Sequence, residues 1–351
     1  MLRTPDQERR QRRPDEGIAV IWVAVFLLVS LWFVSLAIDM GKLMAAKTEL
    51  QAAADAAALA GASSVDPETG VVVQDSARVR AAEIAAANRA YEGTPTPIVI
   101  DPSVDVTFPA ANRVRVVARR EAATGNPVLT HFAQTLGIPN LSVNADATAE
   151  VQVLVEPCEH LAPFAPEDVP PEGFLSGCEN EYILKQGAGS SEQGNFQLLD
   201  LPECNEDGFD GFNAGGAKAV YHYTRYGYDC CLKIDDEFVL TEPGNKVGPF
   251  RSALQERFDA DLPDLREGIC YQDYHGNGSR VFVTPIIESF DVNGKKWVRI
   301  VKFAAFFLKD RPGGSMVSEG VRGQFIKYVV PGNAGPNPPD DSMLYGIHLV
   351  E

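Results

Sequence analysis

The five histidines are the residues of this sequence best suited to acid–base catalysis or metal binding, and they are scattered. The sequence has no H-E-x-x-H motif, no i,i+4 histidine pair and no G-x-S-x-G elbow. His222 lies in an aromatic run that could bind a ligand, but in a β-rich region such a run more often forms core or surface ribbon. We therefore predict no enzymatic activity and no cofactor. The histidines are His131, His160, His222, His275 and His348, and the tyrosines around His222 are Tyr221, Tyr223, Tyr226 and Tyr228.

The acidic residues do not follow the spacing of a metal site either. The segment Asn205 to Asn213 is acidic and glycine-rich like a calcium loop, but its oxygen ligands do not match the D-x-[DN]-x-[DN]-G pattern. Asp235 and Asp236 are adjacent, so on a strand their carboxylates would face opposite sides and could not share a proton. We predict no metal site.

Six cysteines complete the reactive side chains, and all of them follow residue 155. If this region is exported, an even number of cysteines predicts disulfides, up to three of them, with the pairing left open. A zinc site is the alternative, but no C-x-x-C pair exists and two of the cysteines are adjacent, which is poor spacing for one metal. The disulfide candidates are Cys158, Cys178, Cys204, Cys230, Cys231 and Cys270.

An apolar segment near the N-terminus determines on which side of a membrane these residues lie. Ile18 to Ile38 contains no charged residue, and at about 1.5 Å per residue it forms roughly 31 Å of helix, enough to cross a bilayer once. A cleavable signal peptide is the alternative, but signal cores are shorter and end at a small-residue cleavage site. We predict an uncleaved transmembrane helix over residues 17–38, after a polar tail of residues 1–16.

Charges on the two sides of this helix predict its orientation. Five arginines precede it, whereas only Lys42 and Lys47 occur in the twenty residues after it. The positive-inside rule then places the N-terminus in the cytoplasm and the bulk of the chain outside the bacterial cell membrane. The net charge is −17, and residues 156–351 hold 31 acidic and 17 basic residues. This excess argues against nucleic acid or anionic lipid as a partner of the exported part.

Residues 39–62 are predicted to continue the helix as an alanine-rich juxtamembrane segment. One face repeats every three or four residues and ends in alanine and glycine alone, so another backbone can approach it closely. We favour packing of this face on the chain's own following domain over packing on a second copy or another membrane protein. The face consists of Met40, Leu43, Leu50, Ala54, Ala57 and Gly61, with Lys47 as the single misfit.

Residues 63–155 predict a small α+β domain, with helices covering one side of an antiparallel sheet. Apolar periodicity and turn residues define its elements. We expect a helix over 78–91, hairpin strands over 104–108 and 114–118 around a PAAN turn, a helix from Asn126 to about Leu136 that stops at Gly137, and a long strand over 141–155.

The start of this hairpin is similar to the D-x-S-x-S metal-binding loop of von Willebrand factor A domains through Asp101, Ser103 and Asp105. However, the fifth position is Asp rather than Ser, and Pro102 interrupts the loop. Too few residues follow for the alternating βα units of that fold. A strand entering the hairpin is the favoured interpretation.

Residues 156–351 predict a mostly antiparallel β domain, in which disulfides would stabilise a loop-rich fold. Arg251 to Phe258 is its one convincing helix. The fold class is therefore α+β: a transmembrane helix, a juxtamembrane helix, a small α+β domain over 63–155 and this β domain. Its strands are expected at 196–199, 231–240, 280–290, 297–308, 324–330 and 345–350.

The N-terminal part resembles the TadE/TadG-like family of Flp (tight-adherence) pilus assembly proteins. The matching segments are LAIDMGKL (Leu36 to Leu43), which carries a D-x-G-x-L motif, and ELQAAADAAALAGA (Glu49 to Ala62). DATAEV (Asp146 to Val151) is also similar to the end of that family's first exported domain, so the resemblance covers about residues 15–155. Parts of the last domain, such as VKFAAFFL (Val301 to Leu308), more loosely resemble regions that follow this module in some TadG-like proteins.

The resemblance implies a single-pass, non-enzymatic structural protein that assembles or anchors a Flp-type pilus together with other pilus-assembly membrane proteins. An exported binding or adhesin module on a Tad-like anchor is the alternative, and an envelope enzyme is the third hypothesis. Two departures limit the resemblance. The residue five positions after Gly17 is Trp22 rather than Glu, so prepilin cleavage is not predicted. The von Willebrand A domain of some members is also not expected here, so metal-dependent adhesion is not implied.

Overall fold

The computed structural model of the chain describes residues 16–92, 94–168, 173–184, 198–202, 215–234, 238–244, 246–289, 294–313, 320–335 and 341–350. The fold class is α+β with mostly antiparallel strands, which confirms the prediction. The chain forms two compact units. The first unit contains the described residues of 16–54, 84–100 and 117–146, and the second contains the described residues of 55–83, 101–116 and 147–350.

The first helix, α1 (Glu16–Ala62), runs without a break from the apolar segment into the alanine-rich segment. Such continuity is expected, because the segment lacks proline and is rich in residues with high helix propensity. The apolar part exposes its large side chains, whereas Leu50 is fully buried. Within the described residues, α1 is long and apolar enough to cross a membrane.

The second helix, α2 (Gln74–Ala87), begins and ends four residues earlier than predicted. At its end the Asn88 side chain donates through Nδ2 to the Ile84 carbonyl oxygen, 2.8 Å away. The Asn88 backbone N–H also bonds to Ile84 O (3.3 Å) and Ala85 O (3.1 Å), so Asn88 closes the last turn of the helix. The chain then enters a short hairpin instead of continuing the helix to Tyr91.

Sixteen strands are found in the described residues, in two six-stranded sheets and two short hairpins. In chain order they are β1 (Arg89–Glu92), β2 (Thr94–Pro97), β3 (Val106–Ala110), β4 (Arg113–Arg120), β5 (Val128–Leu129), β6 (Asn140–Leu141), β7 (Val143–Pro157), β8 (Tyr182–Leu184), β9 (Leu199–Asp200), β10 (Phe238–Thr241), β11 (Val281–Ile287), β12 (Trp297–Leu308), β13 (Val321–Ile326), β14 (Tyr328–Val329), β15 (Gly332–Ala334) and β16 (Leu344–Val350).

The first sheet has the order β14-β16-β7-β4-β3, with β15 also paired to β7. The predicted hairpin is present as β3 and β4, with a tighter turn than PAAN because β3 extends to Ala110. The predicted long strand is β7, whose alanines alternate into the core as far as Val151. The C-terminal strand β16 returns to pair antiparallel with β7, placing Ile347 opposite Val151. Strand pairing therefore passes across the predicted domain boundary at residue 155.

The helix predicted from Asn126 to Leu136 is wrong. The segment forms β5, which pairs with β6, and then a four-residue 3₁₀ turn, Ala133–Leu136. Gly137 does stop the turn, in the left-handed conformation with φ 84°. A helix is excluded because Thr130 is held across to the 138–139 backbone: its N–H donates to Pro139 O (3.1 Å) and its hydroxyl to Ile138 O (2.5 Å).

The second sheet, β8-β13-β12-β10-β9 with β11 also on β12, forms the centre of the C-terminal region. Strand β12 is buried on both faces, which explains its unbroken apolar run. Phe303, Ala305 and Phe307 belong to one core cluster, whereas Ala304 and Phe306 belong to another. The strands predicted over 280–290, 297–308 and 345–350 correspond to β11, β12 and β16, whereas the one predicted over 324–330 overlaps the end of β13 and contains β14. The strand predicted over 196–199 meets β9 at Leu199, and residues 196–197 lie outside the described residues.

Two helices, rather than the single predicted one, lie in the described part of the C-terminal region. The predicted helix is α4 (Val247–Asp259). The tyrosine run around His222, interpreted as part of a β-rich region, is instead the helix α3 (Ala217–Tyr226). Its buried residues Val220, Tyr223 and Thr224 follow one another at intervals of three and four from Val220, which is the spacing of one helix face. The strand predicted over 231–240 is reduced to β10, and residues 235–237 lie outside the described residues.

Candidate functional site

Asp39, in the D-x-G-x-L segment, is buried and binds a loop of the first unit. We call residues 128–138 the apolar loop. The Asp39 carboxylate accepts hydrogen bonds from three consecutive backbone N–H groups of this loop: His131 to Oδ1 (2.8 Å), and Phe132 (3.0 Å) and Ala133 (2.7 Å) to Oδ2. These donors stand at the start of the 3₁₀ turn, where N–H groups lack partners within the turn. Asp39 therefore caps a turn that is 92 to 94 residues distant in sequence.

The surroundings of Asp39 favour its charged form. The hydrogen bond from the His131 N–H lowers the pKa of this carboxyl below its ordinary value, against burial, which raises it. The Lys42 ammonium, one turn further along α1, lies 3.1 Å from Nδ1 and 3.2 Å from Nε2 of His131. The end of the apolar segment is thus tied to the apolar loop by an ionised carboxylate and a neighbouring cation.

A cleft of about 470 Å³ lies on the N-terminal side of Asp39, between α1 and the 3₁₀ turn. The α1 residues that line it recur every three or four positions, so they share one face of the helix. Almost all of the lining is hydrocarbon. It consists of Leu28, Val29, Trp32, Phe33, Ser35 and Leu36 of α1, with Phe132, Ala133, Thr135 and Leu136 of the apolar loop.

The six residues of the predicted helix-packing face differ in burial along α1. Met40 is 49% exposed and Leu43 half-buried, whereas Leu50, Ala54 and Ala57 are fully buried within the chain. A Cβ added at Gly61 would lie 3.2 Å from both Ala77 O and Val114 Cγ1. Glycine at this position thus lets α2 and β4 approach α1 closely, as the small-residue pattern suggests. Docking of another protein on Met40 and Leu43 stays a prediction.

The cysteines form disulfides in the described part of the chain. Cys158 pairs with Cys231 and Cys178 with Cys270, closing loops of 73 and 92 residues. Cys230 is also disulfide-bonded. Cys204 lies outside the described residues. The adjacent cysteines thus do not act as a pair of metal ligands, because each is used in a sulfur–sulfur bond.

The candidate catalytic and metal-binding residues have separate, local partners. The His222 ring contacts Tyr223 and Tyr226, with centroids 5.5 and 5.1 Å apart, whereas Nδ1 of His275 lies 2.8 Å from Asp273 O. The Asp101 carboxylate accepts bonds from the N–H (2.9 Å) and hydroxyl (2.6 Å) of Ser103, closing a turn before β3.

Within the described residues, no group of three or more His, Cys, Asp or Glu side chains could hold a metal ion. The calcium-like segment Asn205 to Asn213 and the pair Asp235 and Asp236 lie outside them.

The buried arginines of the C-terminal region donate hydrogen bonds to backbone carbonyl oxygens. Arg280 is fully buried and donates to the carbonyl oxygens of Leu308 (2.8 Å) and Arg266 (2.9 Å), among others. Its guanidinium stacks 4.3 Å from the Phe258 ring centroid. Burial lowers the pKa of Arg257 to about 10, so this side chain also stays charged at neutral pH. The Arg257 guanidinium likewise donates to three backbone carbonyl oxygens, those of Ser279 (2.7 Å), Thr224 (3.1 Å) and Val281 (2.6 Å).

Sequence reasoning missed the role of Asp39 and the exposed apolar side chains of the loop that it caps. Leu129, Phe132, Leu136 and Ile138 are 41–58% exposed. A signal was present in the sequence: residues 122–145 contain no Asp, Glu, Lys or Arg, although such residues make up 23% of the chain. The sequence instead predicts a helix here, from Asn126 and Pro127 as its start and Gly137 as its stop, and a strand from the alternation that begins at Leu141.

Comparison with known families agrees with the N-terminal geometry. Residues 17–64 match the model of the Tad family, described as "Putative Flp pilus-assembly TadE/G-like". The match confirms the resemblance over the apolar segment, the D-x-G-x-L motif and the alanine-rich run, and its extension to residue 155 stays a prediction. No curated protein and no solved structure matches the chain.

Proposed function

We propose that this chain is a membrane-anchored, non-enzymatic structural protein that assembles or anchors a Flp-type pilus. The family match over residues 17–64 carries the proposal, because it covers the segment that would cross the membrane and the helix that leaves it. The structure supports it through α1, which is continuous over both segments. The exposed side chains of the apolar part suit a lipid environment.

The proposed orientation has the N-terminus in the cytoplasm and the disulfide-bonded region outside. The arginines before α1 and the disulfides after it support this orientation. Thiol labelling of cells under non-reducing conditions should find few or no free cysteines, and a reductant should expose them. Ready labelling of all six cysteines without a reductant would contradict export of the C-terminal region.

The assembly role is tested by complementation in the source bacterium. The gene is deleted, and pili are counted by electron microscopy after return of the full chain or of a chain whose residues 39–62 are replaced by an unrelated alanine-rich helix of the same length. We expect the first to restore pili and the second to fail, although both chains reach the membrane. Normal piliation in the deletion strain would overturn the proposal.

An exported adhesin on a Tad-like anchor is the rival function. The disulfide-bonded C-terminal region lies beyond the matched residues 17–64 and is the part of the chain that such a function would use. In that case the deletion strain would keep its pili and lose surface binding. Genes for a secretion ATPase and two Tad-type membrane proteins next to this gene would favour assembly. For the envelope enzyme, His222→Ala and His275→Ala test the best remaining candidates, and we expect both variants to support normal piliation.

A further inference from the structure

We infer that the apolar loop inserts into the lipid leaflet next to Asp39, so that the protein contacts the bilayer through this loop as well as through its transmembrane helix. The inference rests on the proposed membrane anchoring. Leu136 is 58% and Leu129 55% exposed, and Phe132 and Ile138 are exposed as well. Four large exposed apolar side chains on one eleven-residue loop are typical of a surface that contacts a membrane or another molecule.

The charge pattern around the loop supports insertion into lipid. Residues 122–145 lack Asp, Glu, Lys and Arg, whereas at the chain's 23% average a segment of this length would carry five or six. His131 is its one titratable side chain, and it lies next to Lys42. Both polar groups therefore stand at the Asp39 level, where lipid headgroups would be, while Phe132 and Leu136 line the cleft against the apolar segment.

The depth of the cleft matches one leaflet. Its lining on α1 extends from Leu28 to Leu36, and Asp39 follows directly. From Leu28 to Ile38 the helix rises about 15 Å, and half of a hydrocarbon core is also about 15 Å thick. The loop thus lies along the half of the transmembrane segment nearest to Asp39. If α1 crosses the bilayer there, the loop is at membrane depth.

Irregular backbone at membrane depth needs partners for its polar groups within the protein itself, and the protein supplies such partners to the groups of this loop named next. Asp39 accepts the N–H groups of residues 131–133, while Gly137 N–H bonds to Gln134 O (3.0 Å) and Ile138 N–H to Ala133 O (3.1 Å). The polar side chains are satisfied too: the Gln134 amide donates to His131 O (2.9 Å) and the Thr135 hydroxyl to Phe132 O (2.7 Å). Little desolvation penalty then opposes insertion.

The side chains around the cleft favour an acyl chain over a second transmembrane helix. Helices that pack in membranes use small residues to bring their backbones together. This cleft is lined mainly by large ones, including Trp32, Phe33 and Phe132. A flexible lipid tail can follow such an irregular wall, whereas a helix would leave voids.

The test measures where labels on the full-length chain sit in a lipid nanodisc. A fluorophore sensitive to polarity is attached at Leu136→Cys, at Val104→Cys and at Phe26→Cys, and the parent chain treated alike gives the background labelling. Val104 is a matched control, because it is apolar and 58% exposed like Leu136 but lies outside the apolar loop, and Phe26 reports on the anchor. Iodide quenches from water, and spin-labelled phosphatidylcholine quenches from within the bilayer.

We expect the labels at positions 136 and 26 to be quenched by spin-labelled lipid, and several-fold less by iodide than the label at position 104. Lipid quenching at position 26 alone, with position 136 behaving like position 104, would overturn the inference and leave the anchor intact. Shielding of position 136 from both quenchers would mean that protein covers the loop, which also overturns it. Iodide quenching at position 26 would refute the anchor itself.

Discussion

The buried side chains of residues 46–151 and of residues 154–344 differ in size. In the first region they are mainly alanine, with valine and a few larger aliphatic residues, and no phenylalanine is buried among its described residues. In the second region the buried side chains are larger, with leucine, phenylalanine, valine and isoleucine all common, and Phe164, Phe282, Phe306 and Phe325 form a chain of ring contacts with centroids 5.2–5.5 Å apart.

The difference shows two ways of making a core. Alanine buries little apolar area, so the first region depends on close backbone approach, as at Gly61, and on polar attachments, as at Asp39. The larger side chains of the second region each bury more apolar area, and the described disulfides all lie in this region. Substitution by a larger residue should therefore destabilise the first core most, and substitution by a smaller residue should destabilise the second core most.

Phe306→Ala should have the largest effect. Phe306 is fully buried, with its ring 5.5 Å from Phe282 and 5.2 Å from Phe325. Loss of the ring should reduce the free energy of unfolding by about 3–5 kcal/mol, through lost burial and the cavity left behind. Urea unfolding in mild detergent measures it. Phe238→Ala, at a position 53% exposed, is the control and should cost under about 1 kcal/mol. Equal effects would refute the core described here.

Removal of the Cys178–Cys270 disulfide should have the next largest effect. The double variant Cys178→Ala/Cys270→Ala opens a 92-residue loop and should lose about 2–4 kcal/mol, chiefly because the unfolded chain becomes less restricted. The same urea titration measures the loss. With dithiothreitol present, the parent and the variant should become similar. A variant as stable as the parent under oxidising conditions would show that the bridge does not support the second region.

Local sequence patterns predict a helix or strand correctly where the segment's own hydrophobic pattern determines its structure. They do not predict a segment whose structure depends on contacts with residues distant in sequence. The charge-free run and the alanine-rich stripe predict α1, and unbroken alternation predicts β7, because continuous hydrophobicity decides the first and burial of one face decides the other two. The segment from Asn126 to Leu136 has equally good helical signals. It is not a helix because β6 and Asp39 supply its hydrogen bonds, and neither partner is adjacent to it in sequence.

The candidate site was predictable in part for the same reason. The small residues of the α1 face and the cysteines could be identified by type and spacing. The role of Asp39 could not, since a single acidic residue after an apolar segment has many uses until its partner is known. The helix α3 was missed because its tyrosines have high β propensity, which the packing of Val220 and Tyr223 overrides.

Ala57→Leu tests the alanine core directly. Ala57 is fully buried, and leucine has nearly the helix propensity of alanine, so the variant changes packing and little else. Overpacking should reduce the free energy of unfolding by about 1–3 kcal/mol. Ala52→Leu on the exposed side of the same helix is the matched control and should change it by less than about 0.5 kcal/mol. A stable Ala57→Leu protein would mean that the core has room for larger residues.

Asp39→Asn should have the smallest effect on the whole chain and a clear one on the apolar loop. The variant keeps the shape of the side chain but replaces one acceptor oxygen by an NH₂ group, so it cannot accept from all three N–H groups at residues 131–133. Hydrogen exchange measured by NMR or mass spectrometry should show lower protection of these amides at neutral pH. Unchanged protection would mean that the carboxylate does not hold the loop.

Acid should reproduce this loss in the parent chain only. The pKa of Asp39 is lowered in the folded protein, chiefly by the His131 N–H, so its contribution is present above the unfolded pKa and is lost as the pH falls through the folded one. Protection at residues 131–133 should therefore fall below about pH 4 in the parent and stay flat in Asp39→Asn. The Ser103 amide, held by Asp101, should remain acid-sensitive in both proteins, because hydrogen bonds from Ser103 lower the pKa of that carboxyl independently of Asp39.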